Sequence, residues 1–103
     1  MNLTEIAEKL QRVDDAYHKE FNISPAENDW FLLKLQEELG ELTQAYLNTT
    51  GRNRRSPESE EQGKRALAQE IADVTSYLLL FAERIDIDVE KAIQEKWFTY
   101  LHE

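Results

Sequence analysis

Apolar residues recur at spacings of three and four along four stretches of the chain, the period of an amphipathic helix. Residues 2 to about 19 carry Leu3, Ile6, Leu10, Val13 and Tyr17. A second helix is expected from Ser24 to about Leu47, with Leu35, Leu39, Leu42 and Tyr46 as its stripe. A third restarts at Ser56-Pro57 and runs to about Arg84 along Leu67, Ile71, Val74, Leu78 and Phe81. Ile85 to Asp88 breaks it, and a fourth follows from Val89 toward the C-terminus with Ile93, Trp97 and Tyr100. No alternating run bounded by a hairpin dipeptide predicts a strand. The expectation is all-α: one domain over 1–103, four-helix-bundle-like, with two long central helices.

The ends of these stretches hold helix-capping chemistry. Asn2 with Glu5, and Ser24-Pro25-Ala26-Glu27, read as capping pairs, with Pro25 at a first helical position. Ser56-Pro57 repeats that logic, and Asp88 is a cap for the fourth helix. Gly40 lies inside the second helix. There it is either a point of close helix approach or a tolerated residue costing about 1 kcal/mol relative to Ala.

Polar positions carry the more specific signal. At 100° per residue, Glu37, Glu38 and Glu41 fall within an arc of about 100°, and Glu70 and Asp73 lie about 60° apart. A glutamate run on a helix is ordinarily a solvated face, since Glu is a strong helix former. Here the apolar stripes run beside the acids, which puts the acids at the edge of a core. Like charges there repel more strongly as they lose water, and hard divalent cations such as Mg²⁺ or Mn²⁺ offset this through carboxylate oxygens.

Charge and composition narrow the classes. The chain has 103 residues and a net charge of −9, against non-specific binding to nucleic acid or anionic membrane. It has no cysteine, which removes disulfides, thiolate metal sites and thiol nucleophiles. No stretch approaches the roughly 20 apolar residues of a membrane span, and the start reads as no signal peptide. A cytoplasmic protein is expected. Hydrophobic residues make up 41% of the chain, which allows only a modest core, so an oligomer burying further apolar surface is expected.

Other residues are candidates by position. Trp30 and Lys34 share the Glu37/Glu41 face, Trp30 about 10 Å along the axis from Glu37, where a base can stack or where it is simply a core or interface residue. Tyr77 continues the Glu70/Asp73 face. Arg52, Arg54 and Arg55 sit in the long connector, where guanidinium forks suit phosphate oxygens or balance nearby acids. His18 reads as a solvated or hydrogen-bonded histidine, with nothing near it in sequence to form a dyad. Di-iron bundles use Glu-x-x-His on two helices. The slots here are Glu38-x-x-Glu41 and Glu70-x-x-Asp73, an all-oxygen set that favours Mg²⁺. A hard cation with a polyphosphate and a spare carboxylate as base amounts to phosphoanhydride hydrolysis. A non-enzymatic helical interaction module is the alternative.

Glu37-Glu38-x-x-Glu41, 28 intervening residues and Glu70-x-x-Asp73 resemble the signature of the MazG-like all-α nucleoside triphosphate pyrophosphohydrolase superfamily. Leu42-Thr43-Gln44-Ala45-Tyr46, Thr50-Gly51-Arg52 and Ile71-Ala72-Asp73-Val74 add to the likeness, which spans about residues 24 to 100. The resemblance implies Mg²⁺-dependent cleavage between the α and β phosphates, giving a nucleoside monophosphate and pyrophosphate, often in nucleotide house-cleaning. It implies Glu38, Glu41, Glu70 and Asp73 as metal ligands and Glu37 as a further ligand or the base. It also implies a homodimer or dimer of dimers, with Lys96 on the last helix touching phosphate. The asparagine and basic residue that commonly follow that lysine are absent; the run here is Trp97-Phe98-Thr99-Tyr100-Leu101.

Overall fold

A computed structural model describes residues 1–24 and 27–101. In chain order it consists of α1 (Leu3–Glu20), α2 (Asn28–Thr49), α3 (Glu60–Arg84) and α4 (Val89–Trp97), then one 3₁₀ turn, Phe98–Tyr100. The described residues contain no strand. Among the described residues no helix is long and apolar enough to cross a membrane.

Two expected caps form. The Asn2 side chain accepts from the Glu5 N–H at 2.8 Å, and the Asp88 side chain accepts from the Lys91 N–H at 3.1 Å. Each removes one orphan donor of a first helical turn. Two other starts are corrected. α2 begins at Asn28, and Glu27 occupies its cap position with extended backbone and no side-chain cap bond. The Ile23 N–H is still bonded to the His18 carbonyl at 2.9 Å, closing α1, so Ser24 comes too early to open the next helix. Pro25 and Ala26 of that expected cap lie outside the described residues. α3 begins at Glu60, capped by Ser59, whose hydroxyl accepts from the Gln62 N–H at 3.1 Å. The Gln62 side chain reaches back to the Glu58 N–H at 2.6 Å. Ser59 and Gln62 thus satisfy two backbone donors between them, with the return bond falling one residue before the cap, and this pair outcompetes Ser56-Pro57.

α1, α2 and α3 end alike. Asn22, Gly51 and Asp86 take left-handed backbone, with φ of 51°, 73° and 61°. The next residue then bonds back to the third-last carbonyl: Ile23 to His18, Arg52 to Leu47 and Ile87 to Ala82, each at 2.9 Å. These are Schellman terminators, which Asn, Gly and Asp adopt more readily than bulkier residues.

α2 and α3 form the main packed pair and run antiparallel. At one end the Arg84 guanidinium lies 5.2 Å from the Phe31 ring centroid, and its Nε donates to the Asn28 side chain at 3.3 Å. At the other end Gly63 is buried, and a Cβ there would lie 3.0 Å from Pro57 Cγ and 3.2 Å from Thr49 Oγ1. The close approach thus belongs to Gly63. Gly40 has nothing within 4 Å and is simply tolerated. α1 packs on α3, and α4 leans chiefly on α1. The Thr4 hydroxyl donates to Glu90 at 3.1 Å, tying α1 to α4.

The core is small: Ala7, Phe31, Leu79, Leu80 and Ala82 are buried. Complete burial of the Phe31 side chain stabilises the fold by about 1.5–3 kcal/mol. The apolar stripes expected to border this core are half outside it. Leu39, Tyr46, Ile71 and Leu78 are exposed, because α2 and α3 cover only one flank of each other. The chain is extended, with a radius of gyration of 16.5 Å where a compact chain of this length has about 13 Å.

Candidate metal centre

The antiparallel pairing of α2 and α3 sets residues 38–41 of one helix against residue 70 of the other. One carboxylate oxygen from each of Glu38, Glu41 and Glu70 lies within 4.8 Å of the other two. Glu38 is buried, Glu70 half-buried and Glu41 exposed, so the cluster opens from the helix contact toward solvent. No other such convergence of acidic or histidine side chains occurs among the described residues. The acids lining the hollow between α1, α3 and α4, Glu83, Asp86, Asp88 and Glu90 among them, do not converge in this way.

The electrostatics follow from that geometry. Burial pushes the Glu38 carboxyl above its ordinary value, and the hydrogen bond and charge of Glu41, then the charge of Asp73, push it further. Lys34 opposes this, its ammonium 3.9 Å from Glu38. Glu70 is also raised, first by burial and then by Glu41 and Asp73. Glu38 Oε2 and Glu70 Oε2 are both buried without a hydrogen-bond partner. Leaving a buried acceptor unmatched costs about 1–3 kcal/mol, more when it is charged. Oxygens of opposite ligands around one hard dication lie about 4–5 Å apart, so the cluster suits a single Mg²⁺, Mn²⁺ or Ca²⁺. The donor set is entirely oxygen, without the histidines of a redox iron site.

The remaining candidates fall into two groups. Near the cluster, Asp73 is exposed, outside the three-oxygen set but close enough to raise Glu38 and Glu70. Glu37 points outward, its carboxylate 3.3 Å from the Lys34 ammonium. That hydrogen bond leads the causes that raise the Lys34 ammonium above its ordinary value. Trp30 and Tyr77 meet edge to face across the helix pair, centroids 6.1 Å apart, with Trp30 still 44% exposed. Burial, ahead of the nearby carboxylates, raises the Tyr77 hydroxyl.

The second group is not brought to the acids. Arg52 donates to the Thr50 hydroxyl at 3.0 Å and sits 5.8 Å from the Tyr46 ring centroid, folded back on the end of α2. Arg54 and Arg55 are exposed in the same connector, which starts about 12 Å of helix axis beyond Glu41. Lys96 is exposed on α4, away from the α2–α3 contact. His18 has a carboxylate partner, Asp14, at 3.3 Å on the same face of α1, which fits the expected hydrogen-bonded histidine and corrects only the expectation that nothing around it forms a pair. The i, i+4 spacing of Asp14 and His18 was the signal for that pair. His102 lies outside the described residues. No known family, curated protein or solved structure matches the chain.

Proposed function

We propose that this protein is a Mg²⁺-dependent nucleoside triphosphate pyrophosphohydrolase of the MazG-like kind, with Mn²⁺ as a substitute ion. The observation that carries the reading is the pair of buried, unmatched carboxylate oxygens on Glu38 and Glu70 beside Glu41. Three acids are held together at a cost that a bound cation removes. Glu38, Glu41 and Glu70 would hold the ion, with Asp73 at the rim. Bound there, it would neutralise a triphosphate and polarise its phosphoryl oxygens. Water attacks the α-phosphorus, the bond to the bridging oxygen of the β-phosphate breaks, and Glu37 takes the proton. The products are a nucleoside monophosphate and pyrophosphate. Trp30 and Tyr77 offer an aromatic edge for the base, and Lys34 supplies positive charge beside the cluster; Lys96 and the Arg52–Arg55 connector, held away from the acids within one chain, would reach a phosphate only from a second copy. In this reading the working form is a homodimer or dimer of dimers, a four-helix bundle in the cytoplasm.

A panel of nucleoside triphosphates with Mg²⁺, read as pyrophosphate release, tests this. Turnover of at least one nucleotide that Glu38→Gln abolishes is the expected result. No turnover of any nucleotide, or a Glu38→Gln variant equal to the parent, overturns it. The exposed apolar positions on α2 and α3 favour a second reading, a non-enzymatic helical interaction module. Melting with and without Mg²⁺ separates the two, because a specific ion raises the melting temperature by mass action and a plain interaction module shows no such rise.

A further inference from the structure

Basic side chains are unevenly placed along the chain. Of the 12 Lys and Arg residues, nine lie inside α1 to α4, and Arg52, Arg54 and Arg55 fall within four positions of the connector between α2 and α3. Every residue from Arg52 to Ser56 is exposed. The three arginines are held differently. Arg52 closes α2: its N–H bonds to the Leu47 carbonyl at 2.9 Å, and its guanidinium rests on the Thr50 hydroxyl and the Tyr46 ring. Arg54 and Arg55 make no hydrogen bond or ion pair with a described residue.

The backbone that carries them is as weakly held. Among the described residues, no backbone hydrogen bond reaches residues 53–57. The next is at Glu58, whose N–H donates to the Gln62 side chain. The connector also borders a hollow of about 530 Å³ lined by Asn48, Thr49, Ser56, Lys64 and Leu67, so one side of it is unpacked. Unbonded backbone with few packed contacts belongs to the least stable part of a structure.

We infer that Arg54-Arg55-Ser56 is a processing site for an endopeptidase of trypsin-like specificity, cut on the carboxyl side of Arg54 or Arg55. Such an enzyme seats a guanidinium against a carboxylate in its specificity pocket and takes the flanking chain in extended form. Here the backbone has nothing to unpair, whereas the nine helical sites must first lose their i to i−4 bonds. Water adds to the arginine carbonyl carbon, the C–N bond breaks, and a new carboxylate and a new ammonium group result.

The cut falls between the two halves of the acidic cluster. Glu38 and Glu41 stay with α1 and α2, and Glu70 stays with α3 and α4. The pieces keep their shared contacts, Phe31 under Arg84 at one end and Thr49 beside Gly63 at the other. They lose the tether. A short connector gives the two helices an effective concentration on the order of millimolar. At about 1 µM the cut therefore makes pairing about 1,000-fold less favourable, and the cluster comes to depend on the concentration of the pieces. The inference rests on no part of the hydrolytic reading.

The test uses the full chain without nucleotide or metal, cleaved briefly by trypsin and read by intact mass. The first products are expected to end at Arg54 or Arg55 and to form about 100-fold faster than any helical cut. Arg54→Gln/Arg55→Gln is expected to slow the first cut about 10-fold or more although Arg52 remains, because Arg52 is held on the end of α2. The nicked protein is expected to melt below the uncut chain by a gap that narrows as concentration rises from about 1 to about 100 µM. A first cut inside a helix, or a double variant cut as fast as the parent, overturns the site. A gap that ignores concentration, or pieces with no melting transition, overturns the paired two-chain form.

Discussion

Glu38→Gln should stabilise the metal-free protein near neutral pH while removing its response to Mg²⁺. Glutamine is nearly isosteric, so the change isolates the charge. In the parent, Glu38 is 7% exposed, its Oε2 has no partner, and oxygens of Glu41 and Glu70 stand within 4.8 Å. Two unit charges 4.8 Å apart repel by about 3.5 kcal/mol at an effective dielectric of 20, before solvent on the open side of the cluster screens them. Against this, the variant loses the 3.9 Å contact with Lys34, an i, i+4 pair worth about 0.3–0.5 kcal/mol, and its amide inherits part of the unmatched burial. Repulsion is the larger quantity, and the net gain is about 1–3 kcal/mol. For a chain of this size each kcal/mol moves the melting temperature by about 4–8 °C.

The sign of the pH dependence is fixed by the direction of the shifts. Glu38 and Glu70 are both raised above their ordinary value near 4.5, so the folded state holds their protons more tightly than the unfolded chain. Their contribution is fully present below about pH 4.5 and is lost as pH rises through the raised values. Thermal melts from pH 4.5 to 8, with and without Mg²⁺, are the assay. Parent and variant should coincide at the acid end and separate above it, with the variant higher. At 100 times its dissociation constant, Mg²⁺ should raise the parent by about 2.7 kcal/mol and leave the variant little changed. A variant that melts at or below the parent at pH 8 without metal, or an equal Mg²⁺ shift in both proteins, refutes the electrostatic argument for the site.

Four simpler substitutions probe the frame that holds the site. Phe31→Ala empties a fully buried position under Arg84 and should cost about 3–5 kcal/mol in denaturant unfolding. Gly40→Ala meets nothing within 4 Å and should stabilise α2 by up to about 1 kcal/mol; a loss in the same assay would mean that the position is occupied in the assembled protein. Gly63→Val should instead destabilise by about 1–3 kcal/mol, because its side chain enters the space of Pro57 and Thr49. Gly51→Ala places a Cβ at φ 73° and should lower stability by about 1–2 kcal/mol with the helix content otherwise unchanged.

The helices were legible because their signals are local. Periodicity located all four, and Asn2 and Asp88 act at their ends as capping chemistry dictates. The starts of α2 and α3 were misplaced where two caps competed within a few residues, since the choice between Ser56 and Ser59 depends on where the chain meets its neighbour. The five acids were legible as arcs on two helices. Only the antiparallel pairing decides that Glu38, Glu41 and Glu70 close into one cluster while Glu37 turns to Lys34 and Asp73 stays at the edge. Burial was least legible of all. A 3.6-residue repeat says that a residue belongs to an apolar stripe, but not which flank of that stripe a neighbouring helix covers. Sequence alone therefore marked Leu39 and Ile71 as apolar and Glu38 as acidic. The tertiary contact between α2 and α3 put the acid inside and left the hydrocarbons outside, because two crossing cylinders touch along one line and leave their outer flanks open.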